Sequence, residues 1–202
     1  MKITYVIPTL GKGGAEDVIV TLANGLSQSN DVRVLILRNV ADDQYNISRL
    51  SGDIEICYLY DPSVSCGSAE ESIFHSLGIV RRGVIAYFKG REYARDVIHL
   101  NLTMGSVLGT IWQLISVLLR HKPKYIETFH TNLHLLPISR RIMFFIGWNL
   151  RDRLVYEIHE DEKSKIVKYL VNKNKVSYIP FCAQTHLDKI YDEDCQDFGR
   201  TN

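Results

Sequence analysis

Short apolar runs alternate with longer amphipathic stretches along most of the chain. The runs are rich in β-branched residues, whereas the stretches between them repeat apolar residues every three or four positions. The pattern predicts strands at 3–7, 32–37, 53–59, 96–102, 124–129, 153–158 and 176–179. It predicts helices at 16–27, 69–95, 105–120, 139–150 and 161–171. Gly78, Gly83 and Gly90 mark places where the second of these helices could break.

Strands that alternate with helices are typical of βαβ units and a parallel sheet. The continuous apolar run at 34–37 suits a strand that is covered on both faces. We therefore predict one doubly wound α/β domain, Rossmann-like, with a mainly parallel sheet of six or seven strands. The domain spans residues 1–182, and residues 183–202 form a polar tail or a truncated interdomain linker.

The composition is that of a soluble globular protein, because 46% of the 202 residues are hydrophobic and 23% are charged. A net charge of +1 indicates no nucleic-acid partner. The four cysteines form no CxxC pair, which favours reduced thiols over a disulfide framework or a zinc site. The amino-terminal apolar run is too short for a signal peptide, and the run at 104–119 is too short to cross a bilayer. These features predict a cytoplasmic protein.

The loop at 8–16 is the first candidate for a ligand site. It follows the first strand and opens the first helix, and ligands of parallel sheets bind outside the carboxyl ends of the strands. Glycines at 11, 13 and 14 permit a tight turn and close backbone approach, and the helix amino terminus offers N–H groups to an anion. The dinucleotide fingerprint GxGxxG lacks its third glycine. A turn in which the glycines serve geometry alone therefore stays equally open.

Four polar residues near the predicted strand ends are weaker candidates. Lys12 lies in the glycine loop, where it would meet a phosphate or be solvated, and Glu16 suits the positive end of a helix. Asn101 and Thr103 follow the fourth strand and are candidates for lining a substrate cleft. His99 lies inside that strand, on the same face as Asn101, and is expected to pack in the core.

His130 is the strongest single candidate, since it directly follows the apolar strand at 124–129. A neutral imidazole donates one hydrogen bond and accepts another, which suits the hydroxyl groups of a ligand. His134 lies four residues further on, but no carboxylate stands between the two histidines and Pro137 follows closely. We therefore predict no metal site.

Several motifs, in order, resemble the family 4 glycosyltransferases of the GT-B fold. They are the loop Gly13-Gly14-Ala15-Glu16 between a strand and a helix, the strand at 96–101 (DVIHLN), the strand at 125–130 (YIETFH) and the segment at 176–180 (VSYIP). The resemblance covers nearly the whole chain.

The resemblance implies an acceptor-binding amino-terminal half that works with a separate half for the nucleotide-sugar donor. Gly13 and Gly14 would lie near the donor phosphates and the transferred sugar, and His130 near the reacting centre. Such enzymes commonly retain the anomeric configuration and need no metal or other cofactor. The acceptor would be a sugar or a lipid-linked sugar of bacterial surface-polysaccharide or glycolipid type.

The chain also departs from the family pattern. Phe181-Cys182 replace the usual Asn-Gly, Asn101 stands where a second histidine is common, and His159 or Glu160 takes the place of a serine. The paired glutamates and basic clamp of the donor half have no counterpart, so the sequence predicts an incomplete enzyme. Three alternatives remain: a non-catalytic fragment, a split enzyme completed by a second chain, and an unrelated nucleotide-binding α/β protein.

Two stretches, at 81–89 and 140–148, are both basic and aromatic. Helices of this composition either cover a sheet with their apolar face or lie against anionic lipid headgroups. The first arrangement is favoured slightly for both, and peripheral contact with the inner face of a membrane stays open.

Overall fold

The computed structural model describes residues 1–38, 41–59, 73–89, 96–120, 123–129, 138–156 and 170–178. Seven described strands form one sheet in which every neighbouring pair is parallel. They are β1 (Lys2–Ile7), β2 (Asp31–Ile36), β3 (Glu55–Tyr58), β4 (Val97–Asn101), β5 (Lys124–Phe129), β6 (Arg153–Tyr156) and β7 (Val176–Tyr178). The predicted parallel α/β sheet is confirmed.

The helices are α1 (Gly14–Ser27), α2 (Gln44–Ile47), α3 (Ile73–Lys89), α4 (Leu102–Leu118) and α5 (Ile138–Leu150). Short 3-10 turns occupy Ala41–Asp43 and Lys173–Lys175. The strand order is β3-β2-β1-β4-β5-β6-β7, so the chain starts in the middle and winds first to one side and then to the other. This is the order of a doubly wound sheet, in which ligands bind where the winding direction reverses, here between β1 and β4.

Each face of the sheet has its own apolar core, because successive side chains of a strand point to opposite faces. On one face, Tyr5 and Ile7 of β1 pack in a cluster with Ile19 and Ala23 of α1. On the other face, α3 and α4 contribute to a cluster that includes Leu100 and Trp112, and α5 adds an aromatic cluster around Trp148. The helices α1 and α3–α5 thus cover opposite faces of the sheet.

Helix α3 runs without a break through Gly78 and Gly83, where the sequence predicted that it could end. A Cβ at Gly83 would collide with the Leu108 side chain, and the Gly83 carbonyl accepts a hydrogen bond from the Trp112 indole at 2.9 Å. Gly83 therefore serves close packing of α3 on α4. Gly90 lies outside the described residues, as do positions 161–169 of the helix predicted at 161–171; its last two residues, Leu170 and Val171, are not helical.

Helix α4 begins at Leu102, although the sequence placed Leu102 in the preceding strand and the helix start at Gly105. Leu102 has a φ of 60°, which a bulky side chain rarely adopts. This conformation turns the chain from strand to helix within one residue. A Cβ at Gly105 would lie 3.1 Å from the Val6 carbonyl oxygen, so glycine lets α4 approach β1 closely.

Arg151, which follows the basic and aromatic stretch at 140–148, is fully buried. Its guanidinium donates to Glu127 Oε2 at 2.7 Å, to Gln113 Oε1 at 2.8 Å, and to the backbone oxygen of Ser106 at 2.8 Å. The Trp148 indole N–H donates to the other Glu127 oxygen at 3.1 Å. This network joins β5, α4 and α5 in the interior, where each charge depends on its partners.

The members of the stretch at 140–148 divide between core and surface. Phe144 and Trp148 are buried against Phe129, whereas Ile146 is half exposed. The preference for a sheet-covering helix is thus confirmed for α5. Among the residues that the structure describes, no helix combines the length and hydropathy that crossing a bilayer requires.

Alkaline pH is expected to destabilise the fold through two buried phenols. Burial raises the pKa of both Tyr5 and Tyr125 above the ordinary tyrosine value. Above a pH of about 10 the unfolded chain releases both protons while the folded chain keeps them, so the free energy of unfolding falls by up to about 2.7 kcal/mol per pH unit. Below that pH the two groups cause no pH dependence. Urea unfolding across the alkaline range measures how steeply the free energy of unfolding falls with pH. Tyr5→Phe should halve this slope. An unchanged slope in the variant would contradict the assignment.

Candidate functional site

Strands β1, β4 and β5 lie side by side and end at the same edge of the sheet. Val6 of β1 is in register with Leu100 of β4, and Asn101 with Thr128 of β5. Because neighbouring strands are about 4.8 Å apart, β5 lies about 10 Å from β1. The glycine loop and the residue after Phe129 therefore leave the sheet along one edge. That residue, His130, lies outside the described residues, and its position relative to the glycines stays a prediction.

The segment between β2 and β3 holds the glycine loop through two buried hydrogen bonds. The carboxylate of Asp43 is fully buried and accepts a hydrogen bond from the Leu10 backbone N–H at 2.6 Å. The buried Asn46 side chain donates to the Gly11 carbonyl, also at 2.6 Å. Both contacts are between residues more than thirty positions apart. The conformation of the loop is thus fixed by tertiary contacts as well as by its glycines.

Lys12 is exposed, and its ammonium lies 5.2 Å from the centroid of the Tyr45 ring. The Arg49 guanidinium lies 5.4 Å from the same ring and forms an ion pair with Asp17 of α1. Cations within about 6 Å of an aromatic face are attracted to it. The rim of the glycine loop therefore carries two cations beside one exposed aromatic ring, and a ligand role for Lys12 stays a prediction.

Helix α1 begins immediately after Gly13, whose φ of −175° is extended backbone. Glu16 stands at the third helical position, and a Cβ at Gly13 would collide with its carboxylate. A glutamate at this position can reach back toward the residue that caps the helix. The side chain of Glu16 therefore folds over the helix amino terminus, as the favourable interaction with the positive helix end predicts.

Gly14 is exposed at the first turn of α1, and no atom lies within 4 Å of the position that a Cβ would take. The protein itself therefore has no steric need for glycine here. Glycine is unfavourable in helices by about 1 kcal/mol relative to alanine. Gly14 thus leaves backbone accessible at the carboxyl edge of the sheet, where a ligand can approach it closely.

Asn101 of β4 and Thr103 of α4, two of the weaker candidates, differ in how deeply they are buried. Asn101 precedes the first residue of α4, is fully buried and donates its side-chain amide to the His99 carbonyl at 3.2 Å. Thr103 is half-buried in the first turn of α4. Both lie at the predicted edge of the sheet, and their roles in substrate binding stay predictions.

His99 is a core residue, as predicted. It is buried, its Nε2 lies 2.5 Å from Thr128 Oγ1, and its ring lies 5.0 Å from that of Tyr5. The contact ties β4 to β5 just below the edge of the sheet. In the part of the chain that the structure describes, no three potential metal-ligating side chains form a cluster.

Loss of the Asp43 carboxylate is expected to loosen the glycine loop. Asp43→Ala leaves the buried Leu10 N–H without this acceptor, which costs about 1–3 kcal/mol of unfolding free energy. The amide of Leu10 should then exchange with solvent faster, as measured by hydrogen-exchange NMR. Asp42→Ala is the matched control, because Asp42 is exposed. Equal exchange of the Leu10 amide in both variants would show that Asp43 does not hold the loop.

Asp43 and Asn46 were missed in the sequence because they lie in a 3-10 turn and a single helical turn. These elements are too short to produce hydrophobic periodicity. The one available signal was the pair of aspartates at 42–43 ahead of a short polar segment, which suits a helix start. Nothing in that signal indicates the glycine loop as the partner.

Comparisons with known proteins find similar solved structures but no sequence relative. No family model and no curated protein matches the sequence. Among solved structures, a sucrose-phosphate synthase structure from Thermosynechococcus elongatus is similar with a TM-score of 0.61 and 11% identity, over 96% of this chain and 97% of that one. Anabaena HepE in complex with UDP and glucose gives 0.61 and 13%, over 96% of this chain and 50% of HepE.

A UDP-N-acetylglucosamine 2-epimerase from Rickettsia bellii is also similar, with a TM-score of 0.60 and 11% identity, over 100% of this chain and 49% of the epimerase. This chain therefore spans about half the length of HepE and of the epimerase. At these identities the likeness establishes the fold. The chain has the fold of one half of a GT-B enzyme, which confirms the predicted fold class.

Proposed function

We propose that this chain is the acceptor-side half of a retaining family 4 glycosyltransferase. It acts with a donor-binding half, whether on the same polypeptide or on a second one. The acceptor is a sugar or lipid-linked sugar of bacterial surface-polysaccharide or glycolipid type, and no metal takes part. The proposal joins the ordered motifs of the sequence to a fold that glycosyltransferase structures share.

One observation carries most of this proposal: Gly14 is accessible at the carboxyl edge of the sheet without any packing that requires glycine. A ligand that contacts the backbone there supplies a reason for the glycine. The loop before it is held in place by Asp43 and Asn46, so the approach surface exists before a ligand binds. A preformed surface avoids the cost of ordering the loop during binding.

The chemistry assigned to this half is positioning. Gly13 and Gly14 let the transferred sugar and the donor phosphates come close to the first turn of α1, whose N–H groups favour negative charge. His130, which follows β5, orients a hydroxyl of the reacting sugar. Holding two reactants in a productive geometry supplies a large part of a catalysed rate. Charge that develops on the departing phosphate is stabilised from both halves.

HepE was determined with UDP and glucose, and this chain corresponds to 50% of it. We expect the chain alone to bind UDP weakly, with a Kd of about 1 mM or higher, because the donor half supplies most nucleotide contacts. Calorimetric titration with UDP measures this affinity. Binding at about 1 μM would instead support an independent nucleotide-binding α/β protein.

A further inference from the structure

Tyr45 lies beside the glycine loop in a segment that two buried contacts tie to that loop. It belongs to the single turn of α2, and its near neighbours Asp43 and Asn46 bind the backbone of Leu10 and Gly11. Tyr45 itself is 50% exposed. Its neighbours therefore fix the place of the aromatic residue next to the loop, while half of that residue stays open to solvent.

Two cations from different parts of the chain lie against the Tyr45 ring. The Lys12 ammonium, in the glycine loop, lies 5.2 Å from the ring centroid, and the Arg49 guanidinium, just after α2, lies 5.4 Å from it. An aromatic ring attracts cations at these distances. The attraction limits the rotamers of the long lysine side chain, which is otherwise spread over many positions in solvent. Tyr45 therefore holds the charge of Lys12 near one place at the rim of the loop.

The two cations differ in whether a carboxylate already compensates their charge. Arg49 Nη1 donates to the carboxylate of Asp17 on α1, and also to Asn46 Oδ1 at 2.7 Å. Within the part of the chain that the structure describes, Lys12 forms no ion pair. The charge of Arg49 thus joins α1 to α2, whereas the charge of Lys12 remains for a ligand.

Lys12 also lies where the fold predicts a ligand. It directly precedes Gly13 and Gly14, in the loop that leaves β1 at the carboxyl edge of the sheet. Ligands of doubly wound sheets bind at this edge. An ammonium group forms charge-assisted hydrogen bonds with anions, and lysine is a common partner of phosphate groups. The charge and the location of Lys12 therefore suit a phosphate group.

We propose that Tyr45 is a positioning residue, whose ring holds the Lys12 ammonium ready for a phosphate group of the ligand. Arg49 acts on the ring and on Asp17, and it does not contact the ligand. Because the ligand binds at the edge assigned to sugar transfer, this inference rests on the proposed function. A nucleotide-sugar donor and a phosphorylated acceptor share the phosphate group, and separate probes distinguish these two sources.

The position of Lys12 is tested by proton NMR of the chain without ligand. The signal of the Lys12 ε-methylene protons is assigned by its loss in Lys12→Gln. It should lie upfield of the signal of Lys2, which is also exposed, because the Tyr45 ring current shifts it. Tyr45→Phe should keep this shift and Tyr45→Leu should remove it. A shift that survives Tyr45→Leu would overturn the positioning role.

Phosphate recognition is tested by NMR titration of the chain with UDP, as the donor probe, and with glucose 6-phosphate, as the acceptor probe. Uridine and glucose are the matched probes without phosphate. At least one phosphate probe should bind more tightly than its match, and Lys12→Gln should weaken that binding about tenfold or more. Tyr45→Leu should weaken it about two- to fivefold, and Tyr45→Phe should restore it. The probe that responds identifies the donor or the acceptor as the source of the phosphate.

Two further variants separate the contact from other effects of charge. Lys2→Gln is the matched control, because it removes a lysine at the opposite edge of the sheet, where β1 begins. It should leave the affinity unchanged. Tyr45→Leu should have no further effect once Lys12→Gln is present, since the ring acts through the ammonium. All three side chains are exposed, so circular dichroism should match that of the unmodified chain.

Three results would overturn the proposal: phosphate probes that bind no better than their matches, equal affinities in Lys12→Gln and Lys2→Gln, or a full effect of Tyr45→Leu in the Lys12→Gln background. Transfer by the two halves that Lys12→Gln leaves unchanged would reject the role of Lys12 and keep the half-enzyme assignment. Phosphate binding through Lys12 without any transfer by the pair would do the reverse.

Discussion

Replacing Arg151 by methionine is expected to lower the free energy of unfolding by about 3–5 kcal/mol. The side chain of Arg151 is 0% exposed and that of Glu127 is 2% exposed. Removing the guanidinium leaves the Glu127 carboxylate in the interior without its cation, and deprives Gln113 and Ser106 of a donor. Urea unfolding at neutral pH, followed by circular dichroism, measures the change.

Two further variants separate the buried charge from other effects of the substitution. Arg49→Met removes an ion pair with Asp17 in which the side chains are 37% and 44% exposed, and it should cost no more than about 1 kcal/mol. Arg151→Met combined with Glu127→Leu removes both buried charges and should recover much of the lost stability. If Arg151→Met costs no more than Arg49→Met, the buried pair does not support the fold as described.

Gly14→Ala is expected to lower the rate of sugar transfer about a hundredfold while leaving the fold intact. The added methyl group meets no atom of the chain within 4 Å, so it opposes only a ligand that approaches the first turn of α1. A displacement of about 1 Å in the bound reactants is enough for a loss of this size. The rate is measured with the donor-binding half present, because the proposal requires both halves.

Gly25→Ala is the matched control for this variant. Gly25 lies in the same helix, also has no atom within 4 Å of its Cβ position, and is near the end that faces away from the candidate site. Both substitutions should hold or raise the stability, by up to about 1 kcal/mol. Equal transfer rates in the two variants would remove Gly14 from the ligand surface.

The strands were predictable because a buried parallel strand has a local signature. The limits of β5 follow directly from the apolar run at 124–129, and those of β1 and β2 differ by one residue at one or both ends. Such a run can be identified as a strand from its own residues, without knowledge of the rest of the fold. The alternation of strands and helices then predicts a parallel sheet, but it does not determine the order of the strands.

The helix limits were less predictable because tertiary contacts decide them. Glycine is a residue type that often ends a helix, yet Gly83 lies inside α3. Its lack of a side chain leaves the space that Leu108 occupies. Leu102 continues the apolar run of β4 in the sequence, yet it begins α4 in a left-handed conformation. Neither outcome is determined by the neighbouring residues in the sequence.

The sequence indicated which strand ends carry the candidate residues, but it did not indicate the contacts that hold the glycine loop. The glycine loop follows β1, and His130 follows β5 in the sequence. The carboxyl ends of these two strands lie at one edge of the sheet, because the strands between them are all parallel. The Asp43 contact with Leu10 spans 33 positions and the Arg151 contact with Glu127 spans 24. Pairings over such distances depend on the folded arrangement, and periodicity contains no information about them.

Transfer of a labelled sugar from a panel of nucleotide-sugars is the measurement that tests the half-enzyme assignment most directly. It compares this chain alone with the chain supplied with a donor-binding half. The account predicts no turnover by the chain alone and turnover when both halves are present. Turnover by the isolated chain, or micromolar binding of UDP by it without any transfer by the pair, would contradict the account.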